Sequence, residues 1–274
     1  MMSVSQCSWN DVADGWDRWR EAIEQGDSRV TDTLLSVSRP LTGARVLELA
    51  GGNGELAVRL ATEVGPSGAL LATDEAEGMV QLLTTRLAGR ENVEVRRIDA
   101  CDIALDDHTY DAVVCRMGLM LVADPALALS EVRRVLKPGG RLTAAVWGEP
   151  SANPWMTSVG MAAIMQGLVA GGPPTEPGGP FSLADSAIVA ELLEQTGFGD
   201  VRVAEVDGVR RYRSSDEHVD MVRSLAPPLG AALAAAPEKL PALRETVKQL
   251  TSAYATPDGG LELPLRALVF SATA

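Results

Sequence analysis

VLELAGGNGE, residues 46–55, begins as an apolar strand and ends as a glycine turn. A strand that runs straight into a glycine loop is the usual opening of a nucleotide site, because glycine lets the backbone approach the ligand closely. One residue does not fit that simple picture. A strand buried on both faces should be almost continuously apolar, and Glu48 interrupts it. Burying an unpaired carboxylate is costly, so its place just before the turn calls for a positively charged partner.

Outward from that stretch, strands and helices alternate. ARVLELA (44–50) reads as a strand and GELAVRLATEVG (54–65) as a helix. The pattern repeats with a strand at 69–74, a helix at 77–89, strands at 93–99 and 110–115, a helix at 125–137 and a strand at 141–148. Lys137-Pro138-Gly139-Gly140 reads as a turn. Such alternation predicts a parallel sheet with helices on both faces, whose ligands lie at the carboxyl ends of the strands. After Gly148 the alternation lapses. The expected continuation is an apolar helix from Asn153, a Pro- and Gly-rich loop at 171–180, a helix at 183–198, a strand at 200–213, a helical stretch at 215–256 and a last strand near 263–273. Residues 9–38 read as helical, with Trp16 and Trp19 on one helix face.

The predicted architecture is a seven-stranded, mostly parallel α/β sheet under a helical cap. Residues 1–40 supply an N-terminal helical segment of the cap, and 41–150 the nucleotide-binding core. Insertions at 151–180 and 214–256 complete the cap. Residues 181–213 return a helix and sixth strand to the core, and 257–274 its last strand.

The glycine loop alone leaves two nucleotides open. Gly52-Asn53-Gly54-Glu55-Leu56-Ala57 fits the dinucleotide fingerprint G-x-G-x-x-A, and Asp74 lies near the position of a ribose-binding acid, so a nicotinamide oxidoreductase is one reading. Glu48 discriminates. It would repel a pyrophosphate, whereas the amine and sulfonium of S-adenosylmethionine suit it.

With these motifs in view, the run VLELAGGNGE…LLATDEAEGMV…RRIDACDI…YDAVVCRMGLMLVADPALALSEVRRVLKPGGRLTAAVWG resembles the class I S-adenosylmethionine-dependent methyltransferases. It is most similar to their small-molecule branch, the type 11 or ubiquinone/menaquinone-biosynthesis-like group, over about residues 44–148. Trp16–Trp19 and Asn153-Pro154-Trp155 add weaker likeness. The resemblance implies a Rossmann-like fold and a set of roles. Glu48 with Ala50, Gly51, Gly52, Asn53 and Gly54 would hold the methionine end. Asp74 would accept from both ribose hydroxyls, while Glu75 and Met79 flank the adenine. Asp99 and Ala100 would read its amino edge beside Cys101. Cys115, Arg116 and Met117 would lie under the sulfonium and face the acceptor. Two positions depart from the family pattern: Ala50 replaces the first glycine, and Asn53 stands where threonine is frequent. Asp74 also reads as a helix cap and Asp99 as a turn residue.

The acceptor side is less legible. Trp16, Trp19, Met117, Met120 and Trp155 are candidate pocket residues, with core packing as the alternative for each. His218 is the one candidate general base, although a surface helix histidine is the plainer reading; His108 sits in a turn at the wrong end of its strand.

Bulk properties narrow the partners. The chain has 274 residues, 46% of them hydrophobic, and a net charge of −13, so nucleic acid is a poor partner. The Asn/Asp-Pro-Pro-aromatic motif of base-methylating DNA enzymes is missing after the fourth strand, as are the acidic ligands of magnesium-dependent catechol enzymes; no metal is expected. Cys7, Cys101 and Cys115 lack metal spacing and read as reduced thiols. No stretch reads as a signal peptide or membrane span, which suggests a cytoplasmic protein. The expected partner is a small-molecule acceptor; a homodimer is open.

Overall fold

The computed structural model describes residues 9–169, 171–172 and 174–274; Cys7 lies outside them. Seven strands form one sheet in the order β3-β2-β1-β4-β5-β7-β6. They are β1 (Arg45–Leu49), β2 (Ala69–Asp74), β3 (Val93–Arg97), β4 (Tyr110–Arg116), β5 (Leu136–Trp147), β6 (Gly199–Tyr212) and β7 (Leu261–Thr273). Strands β1–β5 pair in parallel, while β7 runs antiparallel between β5 and β6. The carboxyl ends of β1, β2, β4, β5 and β6 therefore share one edge.

Helices α3 (Glu55–Val64), α4 (Glu77–Leu87), α5 (Pro125–Val135) and α7 (Ser186–Gln195) flank the sheet. Their apolar positions supply Leu56, Leu60, Leu83, Leu129, Val132 and Leu193 to the continuous core. Asp124 and Asp185 cap α5 and α7 by accepting from the first-turn N–H groups of Leu127 and Ala187. These elements match the sequence expectation closely, because each is bounded by its own cap or glycine.

Three local readings change. The N-terminal helical region breaks at Trp19 into α1 (Ala13–Arg18) and α2 (Arg20–Ser38), so Trp16 and Trp19 do not share one straight helix. The stretch from 215 divides into α8 (Ser215–Leu225), α9 (Pro227–Ala235) and α10 (Leu240–Leu250), with proline opening the second and third. Pro138-Gly139-Gly140 is a loop-out within β5 rather than a turn before it: Tyr110 pairs with Leu136 and Ala112 with Arg141. Backbone hydrogen bonds to Ala274 hold that loop-out in place.

Helix α2 crosses the sheet from β4 to β6, and α6 (Pro154–Met165) packs with α8 and α10 above the same edge. Among the described residues, no helix is long and apolar enough to cross a membrane.

Candidate active site at the carboxyl edge of the sheet

The turn after β1 is built around strain and small residues. Ala50 adopts φ +52, a left-handed conformation that glycine takes more readily. Gly51 donates its N–H to Thr73 O at 2.8 Å, and Gly52 donates to Asp74 Oδ2 at 3.0 Å. Gly52 has open space where a Cβ would stand. Met117, just past β4, is also left-handed at φ +61. Beside it, Gly118 packs so closely on Ala50 that an added Cβ would lie 2.3 Å from the Ala50 methyl. The loops after β1 and β4 thus lock together through a glycine–alanine contact. Sparsely populated backbone conformations held this way concentrate at functional sites.

Glu48 sits under these loops with 1% of its surface exposed. Neither carboxylate oxygen has a hydrogen-bond partner. Burial raises its pKa to about 8; nearby Arg116 opposes the shift and Asp74 adds to it. An orphaned, fully buried carboxylate beside a cradle of glycine backbone fits a ligand with a cationic amino-acid end, and it fits a phosphate poorly.

Asp74 is buried at the end of β2, and its carboxylate is partly engaged. It accepts from Gly52 N and from Ala76 N, each at 3.0 Å, so it ties the glycine loop to the start of α4. Each oxygen keeps a further lone pair for a ligand hydroxyl. Burial raises its pKa, and the N–H groups of Ala76, Gly52 and Glu75 counter that. Glu75 and Asp99 are exposed neighbours: burial raises the pKa of Glu75, and Asp99 raises it further. Asp99 also accepts from Cys101 N at 2.8 Å, so its turn role is real. Ala100 and Cys101 are partly buried, and the Cys101 thiol lies 3.6 Å from Asp124 O.

The N-terminal arm covers this half of the edge. Met79 packs with Val12, Ala13 and Ala76, and Trp9 and Trp16 pack against that cluster. Asn10 accepts from Gly78 N at 2.8 Å, and the buried Asn53 side chain reaches Trp16 O at 3.4 Å. Arg86 joins Glu55 on α3 to Asp17 on α1, and Arg20 bonds the same Glu55.

Several residues expected near the acceptor have other work. Cys115 is buried in the core; burial pushes its thiol up to about 12. Arg116 turns to α2, donating to Thr31 Oγ1 at 2.7 Å and Glu24 Oε2 at 3.2 Å. Met120 is buried, with its sulfur accepting from Trp147 N at 3.3 Å. Trp16 donates its indole N–H to Leu225 O at 3.2 Å and so ties α1 to α8. Trp19 is half-buried on the core with its indole nitrogen unpartnered.

The histidine expectation is corrected most sharply. His218 is completely buried, not a surface residue. The cause is its helix phase: Val219, Met221, Val222 and Leu225 bury the same side of α8. Its Nε2 bonds Trp155 O, and its ring lies 4.6 Å from that of Tyr212. Burial lowers its pKa to about 4, so the ring is neutral at pH 7. Trp155 is also buried, donating its indole N–H to Asn153 Oδ1 at 3.2 Å, with its ring 5.1 Å from that of Trp147.

Sequence reasoning missed the centre of this second cluster. Arg210 on β6 is 4% exposed, pairs with Asp27 of α2 at 2.6 Å and stacks 4.0 Å from the Trp155 ring centre. A signal existed: Val206, Gly208, Arg210 and Tyr212 alternate inward along β6, and Arg210 interrupts that face as Glu48 interrupts β1. Its partner on a helix 183 residues away left no sequence trace. Among the described residues, no group of acidic, histidine or cysteine side chains could hold a metal ion.

With the geometry in place, comparison with known proteins is informative. Residues 46–140 match the family described as "Methyltransferase domain". A demethylmenaquinone methyltransferase of Clavibacter sepedonicus is 37% identical over 145 residues, covering 52% of this chain and 57% of that protein. The chain spans about half the length of the curated relatives it matches. An S-adenosylmethionine-dependent methyltransferase of Aquifex aeolicus superposes with a TM-score of 0.52 at 25% identity, covering 75% of this chain and 94% of that one. The YcgJ protein of Bacillus subtilis shares the fold at a TM-score of 0.60 and 15% identity, over 89% of this chain and 97% of that one.

The strand order, the glycine loop and the buried acid beneath it define a class I S-adenosylmethionine-dependent methyltransferase domain. Over that domain the chain is similar to methyltransferases named for demethylmenaquinone and for ubiquinone/menaquinone biosynthesis.

Proposed function

We propose that this chain binds S-adenosylmethionine and transfers its methyl group to a small, largely apolar acceptor, a natural product of secondary metabolism. One observation carries the reading: Glu48 is fully buried at the end of β1 with both oxygens free of partners. Bound there, S-adenosylmethionine supplies an electrophilic methyl group on a cationic sulfur. Glu48 and the backbone of Ala50–Gly54 would hold its amino-acid end, and Asp74 its ribose. Met79 would pack on the adenine, with Glu75 and Asp99 at the rim.

The chain's own contribution is orientation and the exclusion of water. Holding two reactants in line can supply roughly 7–11 kcal/mol of a reaction barrier. The α1–α2 arm, clamped through Arg86 and Arg20 to Glu55, supports this by roofing the cofactor half. The names of the relatives point to carbon methylation of quinone precursors, but the elements facing the acceptor side, α6 and α8–α10, lie outside the matched residues 46–140. We therefore read those segments, with the N-terminal arm, as a cap that sets a different acceptor. The net charge of −13 supports a small molecule over nucleic acid. Free thiols at Cys101 and Cys115 support a reducing, cytoplasmic setting.

Calorimetric titration with S-adenosylmethionine and, separately, NAD tests the reading. Binding of the first alone is expected; NAD binding without S-adenosylmethionine binding would overturn it. Isotope-labelled methyl donor with a panel of acceptors then tests transfer.

A further inference from the structure

Four side chains around Trp155 carry buried polar atoms with no hydrogen-bond partner: Arg210 Nε and Nη1, Tyr212 Oη, His218 Nδ1 and Ser158 Oγ. All four residues are more than nine-tenths buried. Buried polar groups are almost always paired, and each unpaired one costs about 1–3 kcal/mol. Several together, at the edge where this fold receives its ligands, call for an occupant that pairs them.

Their position is right for the second reactant. Arg210 and Tyr212 end β6, which is parallel to β5 because β7 is antiparallel to both. The Arg210 guanidinium lies 5.5 Å from the ring centre of Trp147 at the end of β5. Asp27, which holds Arg210, lies one helical turn along α2 from Thr31, which holds Arg116 at the end of β4, so the cluster adjoins the half of the edge beyond the cofactor loops.

The chemistry of the cluster narrows the ligand. Arg210 is neutralised by Asp27, so the cluster holds no net charge to balance an anion. Its free guanidinium N–H groups still need an oxygen to receive them. His218 offers the opposite. Trp155 O can only accept, so His218 Nε2 carries the proton, and Nδ1 of the neutral ring is a lone pair that needs a donor. Tyr212 stays protonated, its hydroxyl pushed up to about 12 by burial, and with Ser158 can either donate or accept. Trp147 and Trp155 supply flat aromatic surface.

We infer that Arg210, Tyr212, His218 and Ser158 form the acceptor subsite, and that it selects an uncharged, planar acceptor carrying both a carbonyl oxygen and a hydroxyl. The carbonyl takes the Arg210 donors, and the hydroxyl donates to His218 Nδ1. His218 thereby positions the acceptor. The inference rests on the methyl-transfer reading above, since that places the cofactor at Glu48.

The test is calorimetric titration of the full chain, saturated with S-adenosylhomocysteine, with para-hydroxyacetophenone. Acetophenone lacks the hydroxyl, and para-hydroxybenzoate carries a charge; both should bind more weakly. Tyr212→Phe and Ser158→Ala remove only unpartnered oxygens, and His218→Gln can keep a donor for Trp155 O while losing the lone pair. Tyr212→Phe and His218→Gln should each weaken para-hydroxyacetophenone roughly tenfold, the loss of one hydrogen bond, with S-adenosylhomocysteine affinity unchanged. Tyr212→Phe and Ser158→Ala should not lower the melting temperature, because an unpaired buried hydroxyl gives the fold nothing. Variants that bind the probe as tightly as the wild type, or a wild type that binds para-hydroxybenzoate best, would overturn the inference. A wild type that binds S-adenosylhomocysteine and none of the probes overturns it too, leaving the methyl-transfer reading standing. A wild type that binds neither S-adenosylmethionine nor S-adenosylhomocysteine overturns that reading itself.

Discussion

Two carboxylates in this protein are buried to the same depth and differ only in their company. Glu48, on β1, is 1% exposed and has no partner. Asp27, on α2, is 3% exposed and bonds Arg210. A charge paired at 2.6 Å is a structural joint, here between a helix and the sheet's far edge. An acid left alone keeps its proton in the buried site, and its ionisation waits for a cationic ligand. The cofactor half of the edge is therefore poised by an unpaired acid. The other half is held together by a paired one, with its spare donors and acceptors facing inward.

The contrast breaks most visibly at the joint. Asp27→Ala would strand the Arg210 guanidinium in the interior, and a loss of about 3–5 kcal/mol in unfolding free energy is expected from urea denaturation. A loss below about 1 kcal/mol would mean that Arg210 is already solvated.

At the unpaired acid the effect depends on pH, and its sign is opposite. Glu48 has a folded pKa near 8 against an ordinary 4.5, so the folded state holds its proton more tightly than the unfolded chain. That contribution to stability is complete below about pH 4.5 and is lost as pH rises through 8. Between those limits the ligand-free protein should lose on the order of 4 kcal/mol at this residue, and Glu48→Gln should flatten the loss. Binding runs the other way. A cationic ligand requires the ionised acid, so S-adenosylmethionine affinity should rise with pH up to about 8, by at most tenfold per pH unit. In Glu48→Gln that slope should vanish, together with most of the affinity; an unchanged slope would remove Glu48 from the site.

Asp74 lies between the two cases, since it is partly paired by backbone. Asp74→Ala should weaken S-adenosylmethionine by about 1–3 kcal/mol and destabilise the protein by about 1 kcal/mol, because Gly52 and Ala76 lose their acceptor. Unchanged affinity in titration would show that it is only a loop brace. The smallest effect belongs to Ala50→Gly. Relief of left-handed strain, about 1 kcal/mol, nearly cancels the added freedom of glycine in the unfolded chain. Stability should stay within about 0.5 kcal/mol of the wild type.

Legibility in the sequence followed the range of the interactions. Wherever a segment carried its own boundaries, as at Gly54–Gly65 or at Asp124 before Pro125, it could be read directly. Glu48 was legible because an acid in an apolar strand is a local anomaly. His218 misled because HVDMVRSL, read alone, does not say which helix face meets α6. Arg116 and Cys115 were assigned to a ligand, yet the Arg116 guanidinium is committed to α2 and Cys115 is buried in the core.

The amino-acid sequence by itself determined the alternating strands and helices, the glycine loop and the acid beneath it, because periodicity, capping and glycine conformation act over a few residues. Only the tertiary structure decided that Asp27 meets Arg210, that His218 is buried with a fixed proton, and that Arg210, Tyr212, His218 and Ser158 are buried with unpaired polar atoms. Those outcomes depend on contacts between residues far apart in the chain, and burial alone turns such contacts into energy.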